Sequence, residues 1–194
     1  MAAAPASAAG SGLTGSPFVV VLLGAESTGK TTLAHAIGAA LRARGDSVAV
    51  VDEALREFCD LHQRTPRRDE QAGIAAEQGR RIDAAAASAG VVVADTSAMM
   101  IAVYSDFVFA DRSLYAAAET TQRGYALTLV TALDLPWRAD GLQRDGAHVR
   151  DPVDALVRAS LARAGLACQT VGGKGDDRLV NALAAIDARS TGDR

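Results

Sequence analysis

Phe18-Val19-Val20-Val21-Leu22-Leu23-Gly24-Ala25-Glu26-Ser27-Thr28-Gly29-Lys30-Thr31-Thr32 is the stretch on which the reading of this chain turns. Six apolar residues without polar alternation predict a strand covered on both faces. Gly24 to Thr31 then fits G-x-x-x-x-G-K-[ST] at every fixed position. The two glycines permit backbone conformations and a close approach that a Cβ would block. Successive N–H groups converge on an anion, backed by the positive end of a helix beginning near Lys30. Lys30 is expected to reach the β and γ phosphates of ATP, and Thr31 to hold Mg²⁺ through its hydroxyl. Thr32 would donate near the α phosphate, while Gly24, Ala25, Glu26, Ser27, Thr28 and Gly29 complete the nucleotide cradle. Lys30 and Lys174 are the only lysines, so a chance match is on the order of a fraction of a percent. The plainer alternative is a Gly-rich turn with an incidental lysine.

Beyond this motif, apolar runs alternate with helical patterns, which predicts an α/β fold: three α/β/α layers around a mainly parallel five-stranded sheet. The expected strands are 18–23, 47–51, 91–94, 127–133 and 166–171. The expected helices run from Lys30 to Arg44, closing at Gly45, and from Asp69 to Ala89, stopping at Gly90. A third covers Val153 to Ala164, with Asp151 as N-cap and Pro152 at the first helical position. A last one, Asp177 to Ile186, puts Leu179, Val180, Leu183 and Ile186 on one face. Residues 1–17, rich in Ala, Gly and Ser, are expected to be a flexible tail, and 18–190 a single domain.

Composition excludes several classes. At 194 residues the chain is long enough to bury a core without staples, and 49% hydrophobic with 22% charged residues is ordinary for a soluble globular protein. A net charge of -3 offers no basic footprint for nucleic acid. No apolar run approaches a membrane span. Two cysteines, Cys59 and Cys168, are too few for a disulfide framework, and with His35, His62 and His148 isolated they show no metal-ligand spacing. A cytoplasmic setting is expected; oligomeric state is not legible.

Two strand ends carry acids. Val91-Val92-Val93-Ala94-Asp95 has the form of a carboxylate that holds Mg²⁺ beside the phosphate site, the alternative being a helix cap. The second strand leads into Asp52-Glu53-Ala54-Leu55-Arg56-Glu57-Phe58. Ligands of doubly wound sheets sit beyond the carboxyl ends of the strands. Asp52 or Glu53 is therefore expected to orient an acceptor hydroxyl and take its proton, with Arg56 holding the acceptor or the γ phosphate. Alternatively Glu53, Arg56 and Glu57 form a local surface pair, worth only tenths of a kcal/mol.

The stretch 134–151 exceeds the usual roughly 12–15 residues of a structureless connection and carries Arg138, Arg144 and Arg150. It reads either as a variable surface loop or as a lid bringing arginines over a charged ligand. Asn181 is the only asparagine, so no N-K-x-D guanine reader exists, and no D-x-x-G switch occurs. A small-molecule kinase fits these absences best; a nucleotide-dependent regulatory module is the rival.

Four elements occur in order: Gly24 to Thr32, Glu53-x-x-Arg56-Glu57-Phe58, Asp95-Thr96, and Pro136-Trp137-x-x-Asp140-Gly141-Leu142-x-Arg144. Together they resemble the ribosylnicotinamide kinase domain of NadR-type proteins, within the AAA-like ATPase grouping. The resemblance implies ATP-dependent phosphorylation of the 5′-hydroxyl of a nucleoside acceptor, nicotinamide riboside, in NAD salvage. It implies that Arg144 stabilises transferred charge, and that the Gly172-Gly173-Lys174-Gly175 turn with Arg178 resembles an adenine-lining turn. NadR-type members place aromatic residues just before the Arg-Glu-Phe stretch, where this chain has Asp52 to Leu55. Trp137, Tyr104 and Phe58 are the candidates to stack in their place, packing being the alternative for Trp137. Met99, Met100 and Ile101 are expected in the core.

Overall fold

The computed structural model describes residues 16–138 and 146–192. Five strands form one sheet: β1 (Phe18–Leu23), β2 (Val48–Val51), β3 (Val91–Asp95), β4 (Leu127–Thr131) and β5 (Gln169–Val171). Their order is β2-β3-β1-β4-β5, and every pairing is parallel. Seven α-helices are described: α1 (Lys30–Ala43), α2 (Ala54–His62), α3 (Gln71–Ala86), α4 (Ala98–Phe109), α5 (Tyr115–Gln122), α6 (Arg150–Arg163) and α7 (Asp176–Gly192).

The sheet is covered on both sides because successive strand residues point to opposite faces. Val20 and Leu22 pack with Leu33, Ile37 and Leu41 of α1 and Ala182 and Ile186 of α7. Val19, Val21 and Leu23 pack against α3, α4, α5 and α6 through Ile82, Met99, Tyr115 and Val157. A smaller cluster joins α2 to this layer through Leu55, Cys59, Ile74 and Ile101. The α/β/α reading of the sequence therefore holds, and Met99, Met100 and Ile101 are core residues. No described helix is long and apolar enough to cross a membrane.

Element ends follow local chemistry. Helix α1 closes in a Schellman turn, with Gly45 N–H donating to Arg42 O and Asp46 N–H to Leu41 O. The third predicted helix needs correction. It begins at Arg150, directly from a 3₁₀ turn at Ala147–Val149, so Asp151 lies inside the first turn and is not the N-cap. Pro152 is accommodated there because first-turn N–H groups lack intrahelical acceptors anyway. Strand β4 ends earlier than predicted, since apolar residues continue past its last ladder position, and β5 starts later, since Leu166, Ala167 and Cys168 precede its first one. Helices α2, α4 and α5 were not assigned from periodicity: α4 is apolar all round, and α2 and α5 are short. The predicted tail lies almost wholly outside the described residues, as does the middle of the 134–151 stretch, including Arg144.

Candidate functional site

Strand register sets the site. Leu22 pairs with Asp95 and Leu23 with Val130, so the loop after β1 and the ends of β3 and β4 leave the sheet at one level. Gly24 has φ +147°, and a Cβ there would overlap the Thr131 Oγ1. Inside the loop, the Thr131 hydroxyl donates to Thr28 Oγ1 (2.7 Å), which donates to Ala25 O (2.8 Å). Thr28 is thus a buried brace of the loop. Lys30 Nζ donates to Gly24 O (2.9 Å) and Ala25 O (3.0 Å), which holds the ammonium over the loop. Arg138 N–H donates to Ser27 Oγ (2.8 Å), tying the loop tip to the start of the predicted lid.

Arg178, predicted to contact the nucleotide, is buried under the loop. Its guanidinium donates to Thr28 O (2.8 Å), to Gly173 O (3.0 Å) and to the Asp134 carboxylate. Asp134 also accepts from Gly173 N–H (2.6 Å). The 172–175 turn is therefore clamped to the phosphate loop, and it lines neither of the two cavities described below. Sequence reasoning missed Asp134 and Thr131; the polar threonine within an apolar strand was the available clue.

The Thr31 hydroxyl donates to Asp95 Oδ2. Asp95 is fully buried, and its Oδ1 has no hydrogen-bond partner among the described residues. Capping of α4 falls to Ser97, whose side chain accepts from Met99 N–H (3.2 Å), so Asp95 is free of that alternative role. Between them Thr96 has φ 74°, uncommon for a β-branched residue, and its buried hydroxyl has no hydrogen-bond partner among the described residues. Such outliers persist only where surrounding structure enforces them. Gln78 is part of that enforcement: it accepts from Ala54 N–H (2.7 Å) and reaches Thr96 O (3.4 Å). Among the described residues no cluster of three or more His, Cys, Asp or Glu could hold a metal. The donor set on offer is one hydroxyl and one carboxylate with an unmatched oxygen, which suits a hard cation that keeps water and phosphate ligands.

Two cavities adjoin over this rim. One, of about 510 Å³, is lined by Thr28 to Thr32, Leu135 and Arg138. The other, of about 370 Å³, is lined by Glu26, Leu55, Pro66, Gln71, Tyr104 and Phe109 among others. Ser27, Lys30, Glu53 and Arg56 line both. Glu53 is buried at the start of α2, with Arg56 Nε 3.9 Å from its carboxylate. Asp52 lies elsewhere: it pairs with His35 at 2.8 Å, half-exposed, and lines neither cavity. Of the stacking candidates only Tyr104 lines a cavity of this pair; Phe58 packs by His62 and Arg64. Arg150 is buried and donates to Leu135 O (3.0 Å), while its Nε and Nη2 have no partner among the described residues.

Charge pairs hold the outer wall of the smaller cavity. Arg68, one of its lining residues, donates to Asp111 (2.8 Å), and Arg64 makes paired bonds to Glu70 (2.6 and 2.7 Å). The Arg64 guanidinium, then the Arg67 N–H, lower the Glu70 carboxyl to about 2. Arg68 likewise holds Asp111 well below the usual carboxylate range. The wall's Arg64–Glu70 and Arg67–Glu70 bonds are local to residues 64–70, whereas the Arg68–Asp111 bond spans 43 positions and no local pattern announced it.

Residues 19–178 match the family model described as AAA domain, and the chain belongs to that family. No curated protein matches it. Among solved structures it is similar to NadR protein in complex with NAD and AMP-PNP, with TM-score 0.72 and 21% identity over 91% of this chain and 50% of that one. It is similar also to NadR protein in complex with NR, with TM-score 0.71 and 22% identity over 90% of this chain and 51% of the other. The thymidylate kinase from Ehrlichia chaffeensis gives TM-score 0.63 and 13% identity over 90% and 99% of the two chains. The chain spans about half the length of the NadR structures it resembles. These likenesses are of fold, and the fold is that of a NadR-like P-loop NTPase domain.

Proposed function

We propose that this member of the AAA-domain family is an ATP-dependent small-molecule kinase. It transfers the γ-phosphoryl group to the 5′-hydroxyl of a nucleoside, with nicotinamide riboside the foremost acceptor. The observation that carries this reading is the pair of adjoining cavities with Lys30, Glu53 and Arg56 at their junction. A switch needs one nucleotide pocket; phosphoryl transfer needs a second compartment opening on the first, with a base where they meet.

In this reading the loop amides and Lys30 hold the triphosphate in the larger cavity. Glu53 accepts the hydrogen bond of the acceptor hydroxyl and takes its proton as the new P–O bond forms, while the β–γ bond breaks and ADP leaves. Arg56 and Arg138 offset charge on the transferring group, and Arg144, outside the described residues, is proposed to join them. Thr31 and Asp95 are the residues to hold Mg²⁺, which when bound neutralises phosphate charge. A cytoplasmic setting belongs to the same reading, supported by two free thiols, Cys59 and Cys168.

Nicotinamide riboside is favoured by the motif resemblance and by the likeness to NadR in complex with NR. The test is ADP release from Mg-ATP with and without nicotinamide riboside, with the product weighed by mass spectrometry. Acceptor-stimulated turnover and a phosphorylated nucleoside are expected, and Lys30→Ala should abolish both while leaving the fold intact. Slow hydrolysis indifferent to every nucleoside would refute the kinase reading.

A further inference from the structure

The two cavities divide the phosphate loop between them. Thr28, Gly29, Thr31 and Thr32 line only the larger one, Ser27 and Lys30 line both, and Glu26 lines only the smaller one. Glu26 is thus a loop residue turned toward the acceptor side. We infer that Glu26 determines specificity for the acceptor's sugar, its carboxylate accepting hydrogen bonds from the vicinal 2′- and 3′-hydroxyls of a ribonucleoside. This rests on the kinase reading, in taking the smaller cavity to be the acceptor's.

Position selects the sugar. Glu26 is one residue, about 3.8 Å between Cα atoms, from Ser27 at the junction. It therefore stands beside the end of the acceptor that carries the reacting hydroxyl. In a nucleoside attacking through its 5′-oxygen, that end is the ribose. The base extends further, along the apolar wall of Leu55, Pro66, Tyr104 and Val108. Glu53, at the junction itself, serves the reacting hydroxyl, which leaves Glu26 for the two that do not react.

Chemistry agrees with position. An ionised carboxylate only accepts, and its two oxygens match two adjacent hydroxyl donors. Glu26 is 6% exposed, so solvent poorly replaces a missing donor. A site built around a substrate hydroxyl rejects the analogue that lacks it.

The experiment is calorimetric titration of the full chain with nicotinamide riboside, cytidine and adenosine, with their 2′-deoxy and 3′-deoxy counterparts, and with a non-hydrolysable ATP analogue. The wild type should bind ribonucleosides about tenfold or more tightly than the deoxy forms, since each lost bond is to a charged acceptor. Glu26→Gln should erase that preference, by weakening the ribonucleosides and not their deoxy counterparts. Glu26→Asp should keep part of it. Wild-type indifference to the sugar hydroxyls overturns the inference, whatever the variants do. So does equal weakening of ribo and deoxy forms, or a loss confined to the ATP analogue. Binding of no nucleoside overturns both readings. Ribose selection lost in Glu26→Gln, without phosphorylated product from the wild type, overturns the kinase reading alone. Product formation by the wild type with the ribose preference intact in Glu26→Gln overturns this inference alone.

Discussion

Asp52 and Glu53 are consecutive, yet they serve different surroundings: Asp52 pairs with His35 at 2.8 Å, and Glu53 is buried where two cavities meet. The strand-to-helix corner turns successive side chains apart, so an acidic pair in sequence is not an acidic pair in space. Glu53→Gln is expected to lower kcat by about 10²–10⁴, the usual contribution of a positioned base. Asp52→Asn should stay within about twofold of wild type, because exposed pairs contribute little. Steady-state ADP release with acceptor present distinguishes them; equal losses would remove Glu53 from its assigned role.

Gly24 is fixed by space as well as by its backbone angle. Gly24→Ala places a methyl group on the Thr131 hydroxyl that braces Thr28. The expected cost is about 2 kcal/mol or more, from overpacking and the positive φ together. Urea unfolding measures it, and a change under about 0.5 kcal/mol would mean that the loop relaxes freely.

Arg178 spans 150 positions of sequence to reach Thr28 O. Removing one member of a buried pair leaves the other charge uncompensated, typically at about 3–5 kcal/mol. Because Asp134 is only partly buried, Arg178→Ala is placed at the lower end of that range. The variant should also bind ATP analogues less tightly, since the loop loses its underside support. Arg178→Lys should recover only a fraction, as an ammonium cannot reproduce a three-way fork. Thermal unfolding with and without nucleotide reads both effects.

Glu70 gives a pH signature. Its carboxyl is lowered from 4.5 to about 2, first by the Arg64 hydrogen bond and then by the Arg67 N–H. A depressed folded-state value means the ion pair stabilises above the unfolded pKa and is lost as pH falls from 4.5 through about 2. The Tm difference between wild type and Glu70→Gln should be constant at neutral pH, shrink below 4.5 and vanish near 2. A difference that instead declines between pH 6 and 8 would assign it to another group.

What was legible in sequence follows from what is local. The β1 run, the glycine-lysine loop and the α1 periodicity are contiguous, so strand, turn and helix were each readable and all three stand. Glu53, Arg56 and Asp95 were found because they follow apolar strands, and strand ends face the ligand rim in this architecture. Helix α4 was not found, since its sequence is apolar on nearly every side, which leaves no polar stripe to set the period. The Arg178 clamp and the Arg68–Asp111 wall were invisible for another reason. Each joins segments distant in sequence, and only the folded topology brings them together.

The level strand ends described above also say where this protein tolerates change of length. Loops leaving the carboxyl edge of β1, β3 and β4 share one geometry, and adding or deleting a residue there would rotate Asp95 or the glycine loop out of alignment. At the opposite edge, the connections around Gly45, Gly90, Gly124 and Gly165 carry none of that geometry. Insertions, affinity handles or fused domains belong on those four corners, where the chain can grow without the chemistry noticing.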